Sequence, residues 1–213
     1  MVGRMAMLIA LTTSAPAAAR LSDWRIEGES PDAHVTERDG VIDIDTPKGL
    51  TLWWRRPVVG PVTIRFEAMA VAAGGANDRV SDLNAFWMAT NRDGGSVLAH
   101  RRSGAFAAYD DLKTYYVGIG GNGNTTTRLR RYVGEPGNRP LLPEHDLATP
   151  AAMLRPDVWT RIALIADGGR IAVMRDGRPL FALADPRPYT RGHWALRTTW
   201  SHLRIRRVTV TRR

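Results

Sequence analysis

The residues best suited to chemistry in this 213-residue chain lie in one run, from Tyr109 to Tyr132. The run reads YDDLKTYYVGIGGNGNTTTRLRRY and combines aromatic, amide, hydroxyl and guanidinium side chains. Such a mixture offers apolar rings beside many hydrogen-bonding groups, which suits a ligand rich in hydroxyl groups. The sequence therefore predicts a carbohydrate-binding surface in this part of the chain.

Two strand-like segments around a glycine-rich turn, Gly121 to Asn124, would position these side chains. Because side chains alternate between the two faces of a strand, one face before the turn carries Tyr116, Gly118 and Gly120. The glycines on that face are expected to leave room for a ligand. The same rule gives one face after the turn to Thr126, Arg128, Arg130 and Tyr132. We therefore expect a groove wall, with a solvated sheet face and a glycine bulge as the alternative.

Uronate-containing polysaccharides are cut by β-elimination, which needs a cation for the carboxylate, a base for the adjacent carbon-bound proton and an acid for the leaving oxygen. Arg128 and Arg130 are suited to holding the carboxylate. Tyr116 is suited to donating or shuttling the proton, and His100, in a polar turn, is the predicted base. Their structural alternatives are a core tyrosine and a surface histidine. The predicted function is a polysaccharide lyase.

A wider set of polar and aromatic side chains is predicted to bind the substrate: Arg79, Asn84, Trp87, Tyr109, Asp111, Lys113, Asn122, Asn124, Tyr132 and His202. A non-catalytic domain, in which the aromatic side chains only stack on sugar rings, is one alternative function. A glycoside hydrolase is another, although it needs two suitably spaced carboxylates and the sequence has no alternating run of glutamates. The density of ionisable groups favours an enzyme.

Neither a cofactor motif nor a metal motif is present. Backbone carbonyls and aspartates would hold calcium without a sequence motif, so a structural calcium ion stays open. With no cysteine, the chain has no disulfide and no thiol chemistry.

The formal net charge is +9, and the positive charge is almost entirely arginine, with lysine only at positions 48 and 113. Guanidinium groups match carboxylates and phosphates, so an acidic polysaccharide or oligosaccharide is the expected partner. Nucleic acid is the other partner that this charge suggests. However, the arginines near the C-terminus alternate with Leu203, Ile205 and Val208, which is typical of a strand with one solvated face. We therefore expect no nucleic-acid partner.

Residues 1–19 resemble an export signal, with Arg4 before an apolar stretch and the small residues Ala17, Ala18 and Ala19 at its end. The apolar stretch, Met5 to Leu11, is too short to span a bilayer. We expect cleavage before Arg20, a periplasmic or secreted location, and one domain over residues 20–213.

The rest of the chain reads as short strands between turns, without helical periodicity or an internal repeat. The clearest predicted strands are Val62 to Ala70, Leu83 to Thr90, a three-strand meander from Trp159 to Ala184, and two closing strands, Trp194 to Thr199 and His202 to Thr211. This pattern predicts an all-β fold, a two-sheet antiparallel jelly-roll sandwich.

Four segments carry a resemblance to a known group of proteins: NDRVSDLNAFWMAT, the Tyr109 to Tyr132 run, WTRIALIADGGRIAVMRDGRPLF and RTTWSHLRIRRVTV. They resemble concanavalin A-like, or laminin-G-like, jelly-roll proteins of bacterial polysaccharide utilisation. These include YesU-like proteins and uncharacterised relatives linked to pectin and rhamnogalacturonan degradation. The resemblance extends from about Trp24 onward. It implies a lectin/glucanase-type sandwich, on which alginate-lyase-type enzymes use arginine, histidine and tyrosine; keto-sugar hydrolases share the same sandwich.

Overall fold

The computed structural model describes residues 19–212, so the predicted export signal lies, except for Ala19, outside the described residues. Helical structure within the described range is limited to short turns at Leu21–Asp23, Val97–Ala99, Phe106–Tyr109, Gly121–Asn124, Pro143–His145 and Pro150–Ala152. The strands, in chain order, are β1 (Trp24–Gly28), β2 (His34–Arg38), β3 (Val41–Trp54), β4 (Val58–Val59), β5 (Val62–Ala70), β6 (Leu83–Thr90), β7 (Lys113–Gly120), β8 (Thr126–Val133), β9 (Asp146–Leu147), β10 (Thr160–Asp167), β11 (Arg170–Arg175), β12 (Arg178–Ala184) and β13 (Arg191–Arg212). None of the helical turns is long and apolar enough to cross a membrane.

Two long strands, β3 and β13, belong to both sheets of a sandwich. Up to Thr199, β13 pairs with the second half of β3 and with β6. From Ser201 onward it pairs with the first half of β3 and with β5. The first sheet therefore has the order β1-β3-β13-β6-β7-β8-β9, and the second has the order β2-β3-β13-β5-β10-β11-β12.

These sheets are antiparallel throughout, which confirms the predicted all-β, two-sheet jelly-roll sandwich. The sequence divides the closing segment into two strands, whereas the structure joins them into the 22-residue β13. The difference arises because the strand bends from one sheet to the other at an irregularity between Thr199 and Ser201 without losing its pairing with β3.

The main core lies between the two sheets and is rich in tryptophan. The Trp194 ring of β13 stacks on Phe66 of β5 with ring centroids 6.1 Å apart, and Trp24 meets Trp194 edge-on at 4.8 Å. Such aromatic contacts bury a large apolar area and so fix the two sheets against each other. In β6, alternation predicts Met88 on the same side as Phe86. A left-handed backbone at Met88 (φ 56°) places it in the core instead.

The outer face of the first sheet carries a second aromatic cluster, which includes Trp53, Phe86, Tyr109, Tyr116 and Tyr132. Residues 91–112, which we call the covering segment, pack over part of this face. Glu27 anchors the segment, because its Oε2 accepts hydrogen bonds from the Trp53 indole and the Tyr109 hydroxyl, each at 3.0 Å. Its Oε1 accepts from the backbone N–H of Arg102 at 3.1 Å. The part of this face that the segment leaves open forms the site described next.

Candidate functional site

A row of paired residues crosses the outer face of the first sheet. Arg197 of β13 pairs with Asn84 of β6, Asn84 with Gly118 of β7, Gly118 with Arg128 of β8, and Arg128 with Asp146 of β9. Directly paired residues of antiparallel strands project to the same face. The register therefore aligns groups that are far apart in the sequence.

A parallel row, two residues along each strand, carries aromatic and cationic groups. Phe86 pairs with Tyr116, and Tyr116 pairs with Arg130. The structure thus brings Tyr116, Arg128 and Arg130 to one face of the sheet, as the alternation in the sequence predicts.

Above these rows lies a cleft of about 420 Å³, which we call the arginine cleft. It is lined by Asp82, Asn84, Phe106, Tyr116, Gly118, Gly121, Asn122, Thr126, Arg128, Arg130, Arg139 and Thr199. Three arginines and one carboxylate make its lining positive, and hydroxyl and amide groups supply hydrogen bonds. The volume lies within the range of small-molecule sites.

Hollows of comparable or larger volume lie elsewhere on the surface. One of about 700 Å³ involves Ala19, Trp54 and residues 208–212, and another of about 560 Å³ lies along Gly169–Ile171 and Ala182–Pro186. We favour the arginine cleft because aromatic rings lie beside its charged groups and the strand register aligns them. A mixture of aromatic and charged side chains is typical of ligand sites, and this composition is a better guide than the volume of a hollow.

The Tyr116 hydroxyl projects over Gly118 and donates a hydrogen bond to Asn84 Oδ1 at 3.1 Å. A Cβ at position 118 would lie only 2.5 Å from this hydroxyl, so the glycine is required by the protein's own tyrosine. The expected room for a ligand above Gly118 is therefore corrected: the Tyr116 side chain occupies it. Burial raises the pKa of Tyr116, and the phenol is a neutral hydrogen-bond donor at ordinary pH.

The arginines of the cleft differ in how strongly they are neutralised. Arg128 makes two hydrogen bonds to the Asp146 carboxylate, at 2.8 and 3.2 Å. Arg130 instead donates to the backbone carbonyl of Arg139. Burial is the main cause that lowers the pKa of Arg130, and the positive charges of Arg128 and Arg139 act in the same direction. An anionic ligand would relieve this repulsion.

Arg197 adds a buried positive charge beside the cleft, in the same row as Asn84. Only 2% of the residue is exposed, and its guanidinium donates to the Gly104 carbonyl at 2.7 Å and to the Thr51 hydroxyl at 3.1 Å. No carboxylate among residues 19–212 lies within ion-pair distance of it. Burial lowers its pKa. The negative charges of Asp82 and Glu29 act on it in the opposite direction, without forming an ion pair.

Asp82 is the carboxylate in the lining of the cleft, and it is absent from the residues that the sequence singles out. It adopts a left-handed backbone (φ 59°) and accepts a hydrogen bond from the Ser81 hydroxyl. Burial raises the pKa of Asp82, and hydrogen bonds from Ser81 and Asn84 offset this only in part. The sequence signal was weak, since a Ser-Asp pair before a strand usually indicates only a turn.

Two of the predicted aromatic ligands support the cleft from below. Tyr109 and Tyr132 are both fully buried. The Tyr132 ring lies 5.6 Å from Tyr116 and 6.0 Å from Phe86. Burial raises the pKa of Tyr132 to about 12, although the nearby positive charge of Arg139 opposes it. Tyr132 packs against Tyr116, and neither Tyr109 nor Tyr132 reaches the open space.

Other predicted site residues lie away from the cleft. Trp87 is fully buried in the core between the sheets, 5.4 Å from the Tyr115 ring, because β6 directs it to the opposite face from Asn84. Its predicted sugar contact is therefore corrected. His100 is exposed at the end of the Val97–Ala99 turn, and the described lining of the cleft does not include it or Asp111 or Lys113.

The remaining predicted residues surround the turn Gly121–Asn124 and the loop before β6. Asn122 lines the cleft, whereas the Asn124 amide is held by the backbone of Leu154 at 2.9 and 3.0 Å. The Arg79 guanidinium lies 3.8 Å above the Trp200 ring. His202 is on the second sheet and bridges Asp43 and Asp78, at 2.9 and 2.7 Å.

Comparisons with known proteins agree with this fold. A sequence profile described as "Domain of unknown function (DUF6250)" matches residues 44–208, and no curated protein matches the chain. Among solved structures, a protein of unknown function with a galectin-like fold from Bacillus subtilis is 16% identical, with a TM-score of 0.67 and coverage of 91% of this chain and 92% of that chain.

Two further structures are similar over most of their length. The carbohydrate-binding module CBM66 from Bacillus subtilis is 10% identical, with a TM-score of 0.59 and coverage of 88% of this chain and 94% of that chain. The metal-free carbohydrate recognition domain of Emp46p is 12% identical, with a TM-score of 0.60 and coverage of 89% and 88%. At these identities the likeness concerns the fold alone, and it agrees with the jelly-roll resemblance seen in the sequence.

Proposed function

The chain belongs to the family described as "Domain of unknown function (DUF6250)", and on its own geometry we propose that it binds an acidic, uronate-containing carbohydrate in the arginine cleft. The observation that carries the proposal is the convergence of Arg128, Arg130 and Arg139 in the lining of one cleft. Uronate carboxylates match guanidinium groups in shape and charge. Sugar hydroxyls match the Asn84, Tyr116, Thr126 and Thr199 side chains.

Two similar folds support carbohydrate as the ligand class. One of the structures is named a carbohydrate-binding module and another a carbohydrate recognition domain. The jelly-roll sandwich therefore serves sugar binding in other proteins. The positive lining of this cleft favours an acidic sugar, and the pectin-linked resemblance of the sequence makes oligogalacturonate the first ligand to try.

The test is binding by calorimetry to oligogalacturonate, with dextran as a neutral control. Arg130→Ala is expected to weaken oligogalacturonate binding about 10- to 100-fold, because it removes a partly buried cation that faces the ligand. Arg161→Ala is the matched control: it removes the same charge from an exposed arginine on β10, which lies 3.7 Å from Asp176. Equal affinities of the two variants, or equal binding of dextran, would contradict the proposal.

Cleavage of the bound carbohydrate by β-elimination is a second candidate function, supported by Asp82 and Tyr116 in the same cleft. Asp82, whose pKa is raised by burial, would accept the proton from the carbon next to the uronate carboxyl group. The Tyr116 hydroxyl would donate its proton to the leaving glycosidic oxygen. Asp82 replaces His100 as the base in this scheme, because His100 is not part of the lining.

Three possible functions, namely lyase, hydrolase and binding domain, can be distinguished by their products with one preparation of the protein. β-Elimination leaves an unsaturated uronate that absorbs in the ultraviolet, and hydrolysis gives reducing ends without that absorbance. A binding domain retains the polysaccharide and gives neither. Loss of ultraviolet-absorbing product in Asp82→Asn, with binding retained, is the expected result for the lyase.

A further inference from the structure

Trp200 is a large aromatic side chain that stays exposed beside the arginine cleft. It is 48% exposed, whereas Trp24, Trp53, Trp54, Trp87 and Trp194 are all buried. Within residues 19–212, Val59 and Leu142 are the other large hydrophobic residues with comparable exposure. Leaving an indole ring in water forgoes the hydrophobic stabilisation that the other tryptophans gain. A single exposed hydrophobic residue is common on protein surfaces. Trp200 is notable because of its backbone conformation and its contact with Arg79.

The backbone directs Trp200 outward at the place where β13 passes from one sheet to the other. Strict alternation would put Trp200 on the core side, since Thr199 before it lines the cleft. A left-handed conformation (φ 42°) within the irregularity between Thr199 and Ser201 prevents this. Such a conformation is rare for a bulky side chain and is often associated with functional positions.

Arg79 connects Trp200 to the end of the cleft. Its guanidinium lies 3.8 Å from the centroid of the Trp200 ring and therefore covers one face of the indole. The same guanidinium lies 3.5 Å from where a Cβ of Gly123 would stand. Gly123 belongs to the turn whose Gly121 and Asn122 line the cleft. The exposed area of Trp200 therefore lies on the uncovered face and edge of a ring that is held beside the cleft.

We propose that Trp200 and Arg79 form a second sugar subsite that extends the arginine cleft, so that the ligand is an acidic oligosaccharide of at least two units. One uronate occupies the cleft, and the ring of a neighbouring unit packs on the free face of Trp200. The carbon-bound hydrogens of a sugar ring are weakly positive and suit the negative face of an indole. Arg79, stacked on the other face, holds the ring in place. The inference rests on the proposed function and adds the minimum ligand length to it.

Ligand length provides the test. Affinity is measured by calorimetry for galacturonate and for oligogalacturonates of two to six units, with wild-type protein and with Trp200→Ala. The variant is expected to bind galacturonate as the wild type does and to bind the longer oligomers about tenfold more weakly, since stacking on a large ring contributes about that factor. Trp200→Phe should retain most of the affinity for the longer oligomers.

Val59→Ala is the matched control, because it removes an exposed hydrophobic side chain on β4, outside the lining of the cleft. It should bind every length as the wild type does. Equal affinities of Trp200→Ala and wild type at all lengths would overturn the subsite, as would an equal loss for galacturonate and the oligomers. If the wild type binds none of these ligands, the proposed function itself fails, a result that differs from both.

Discussion

At the scale of single residues, the neighbouring aromatic rings and the glycine at position 118 together fix the orientation of Tyr116. Phe86, Phe106 and Tyr132 hold its ring at centroid distances of 5.3, 5.7 and 5.6 Å. Gly118 then leaves the space that the hydroxyl enters to reach Asn84. The orientation of the Tyr116 hydroxyl therefore depends on Gly118, although this glycine has no side chain to contact it.

Gly118→Ala is expected to displace the Tyr116 hydroxyl and to weaken oligogalacturonate binding. The new Cβ would stand 2.5 Å from Tyr116 Oη and 2.8 Å from Asn84 Oδ1, and the packed ring has little room to move. Overpacking of this kind costs about 1–3 kcal/mol in the free energy of unfolding. Thermal unfolding measures the loss of stability, and calorimetry measures the loss of affinity for oligogalacturonate.

The control for this substitution is Gly28→Ala, where the nearest atoms to the new Cβ lie at 3.6 Å or more and little change is expected. Adding Tyr116→Phe to Gly118→Ala removes the hydroxyl that causes the closest contact and should restore part of the lost stability. Strictly additive losses in the double variant would show that the clash is not the cause.

At the scale of elements, the loop formed by residues 71–82 carries both Arg79 and Asp82 to the cleft, and it is fastened to the second sheet. Asp78 accepts hydrogen bonds from the backbone N–H groups of Ala73 and Gly75, at 2.7 and 2.9 Å. His202 of β13 joins Asp78 to Asp43, and Asn77 donates to Asp45 at 2.8 Å. A contact on one sheet therefore positions groups that act on the other.

This anchor is expected to depend on pH. Burial alone would lower the pKa of His202, but hydrogen bonds and attraction from Asp78 and Asp43 outweigh it, and the pKa is raised above 6.5. A raised pKa in the folded state gives stability that is fully present below the unfolded pKa and lost as pH rises through the folded pKa. His202→Gln should therefore lower the unfolding free energy by about 1–2 kcal/mol at pH 5.5 and by less at pH 8.5.

Thermal unfolding of both proteins at the two pH values tests this prediction, because other groups that titrate contribute equally and cancel in the difference between the proteins. Arg204 also bonds Asp43, at 2.7 Å, and is present in both proteins, so it does not account for a difference between them. A difference that is the same at both pH values, or larger at pH 8.5, would contradict the raised pKa.

At the scale of the whole molecule, the position of the positive charges matters more than the net charge of +9. Two arginines near the C-terminus are paired on the second sheet: Arg206 and Arg207 contact Glu67 at 2.7 and 2.9 Å. In the cleft, Arg130 is bonded to a backbone carbonyl and Arg197 to neutral groups. Arg130 therefore carries a charge that no carboxylate pairs with, on the outer face of the first sheet.

Binding of oligogalacturonate should consequently weaken as sodium chloride rises from about 0.05 to 0.5 M, because salt screens charges near the surface. The dependence should be shallower in Arg130→Ala and unchanged in Arg161→Ala, although both variants carry the same net charge. Calorimetry across the salt series measures the slopes. Identical slopes in all three proteins would mean that net charge, and not the cleft, attracts the ligand.

Much of the local structure could be predicted from the sequence. Alternation places Tyr116, Arg128 and Arg130 on one face, and glycine-aspartate turns delimit the meander of β10, β11 and β12. Alternation fails at Met88, where a left-handed residue reverses the direction of the side chain. The sugar contact predicted for Trp87 and the room expected above Gly118 were wrong for a different reason, because they depend on which face is buried and on where the Tyr116 side chain lies. The export signal and the location that it implies stay predictions.

The sequence by itself determined the strands, the sandwich and the polar face of the β7–β8 pair, because these depend on a period of two that neighbouring residues set. Only the tertiary structure decided which face is open and which residues share it. Asp82 and Arg139 reach the cleft through loop packing, and strand register puts the buried Arg197 in the row beside it. Contacts such as Arg197 to Gly104 join residues 93 positions apart. Such contacts depend on the whole sandwich being assembled, so no local pattern in the sequence encodes them.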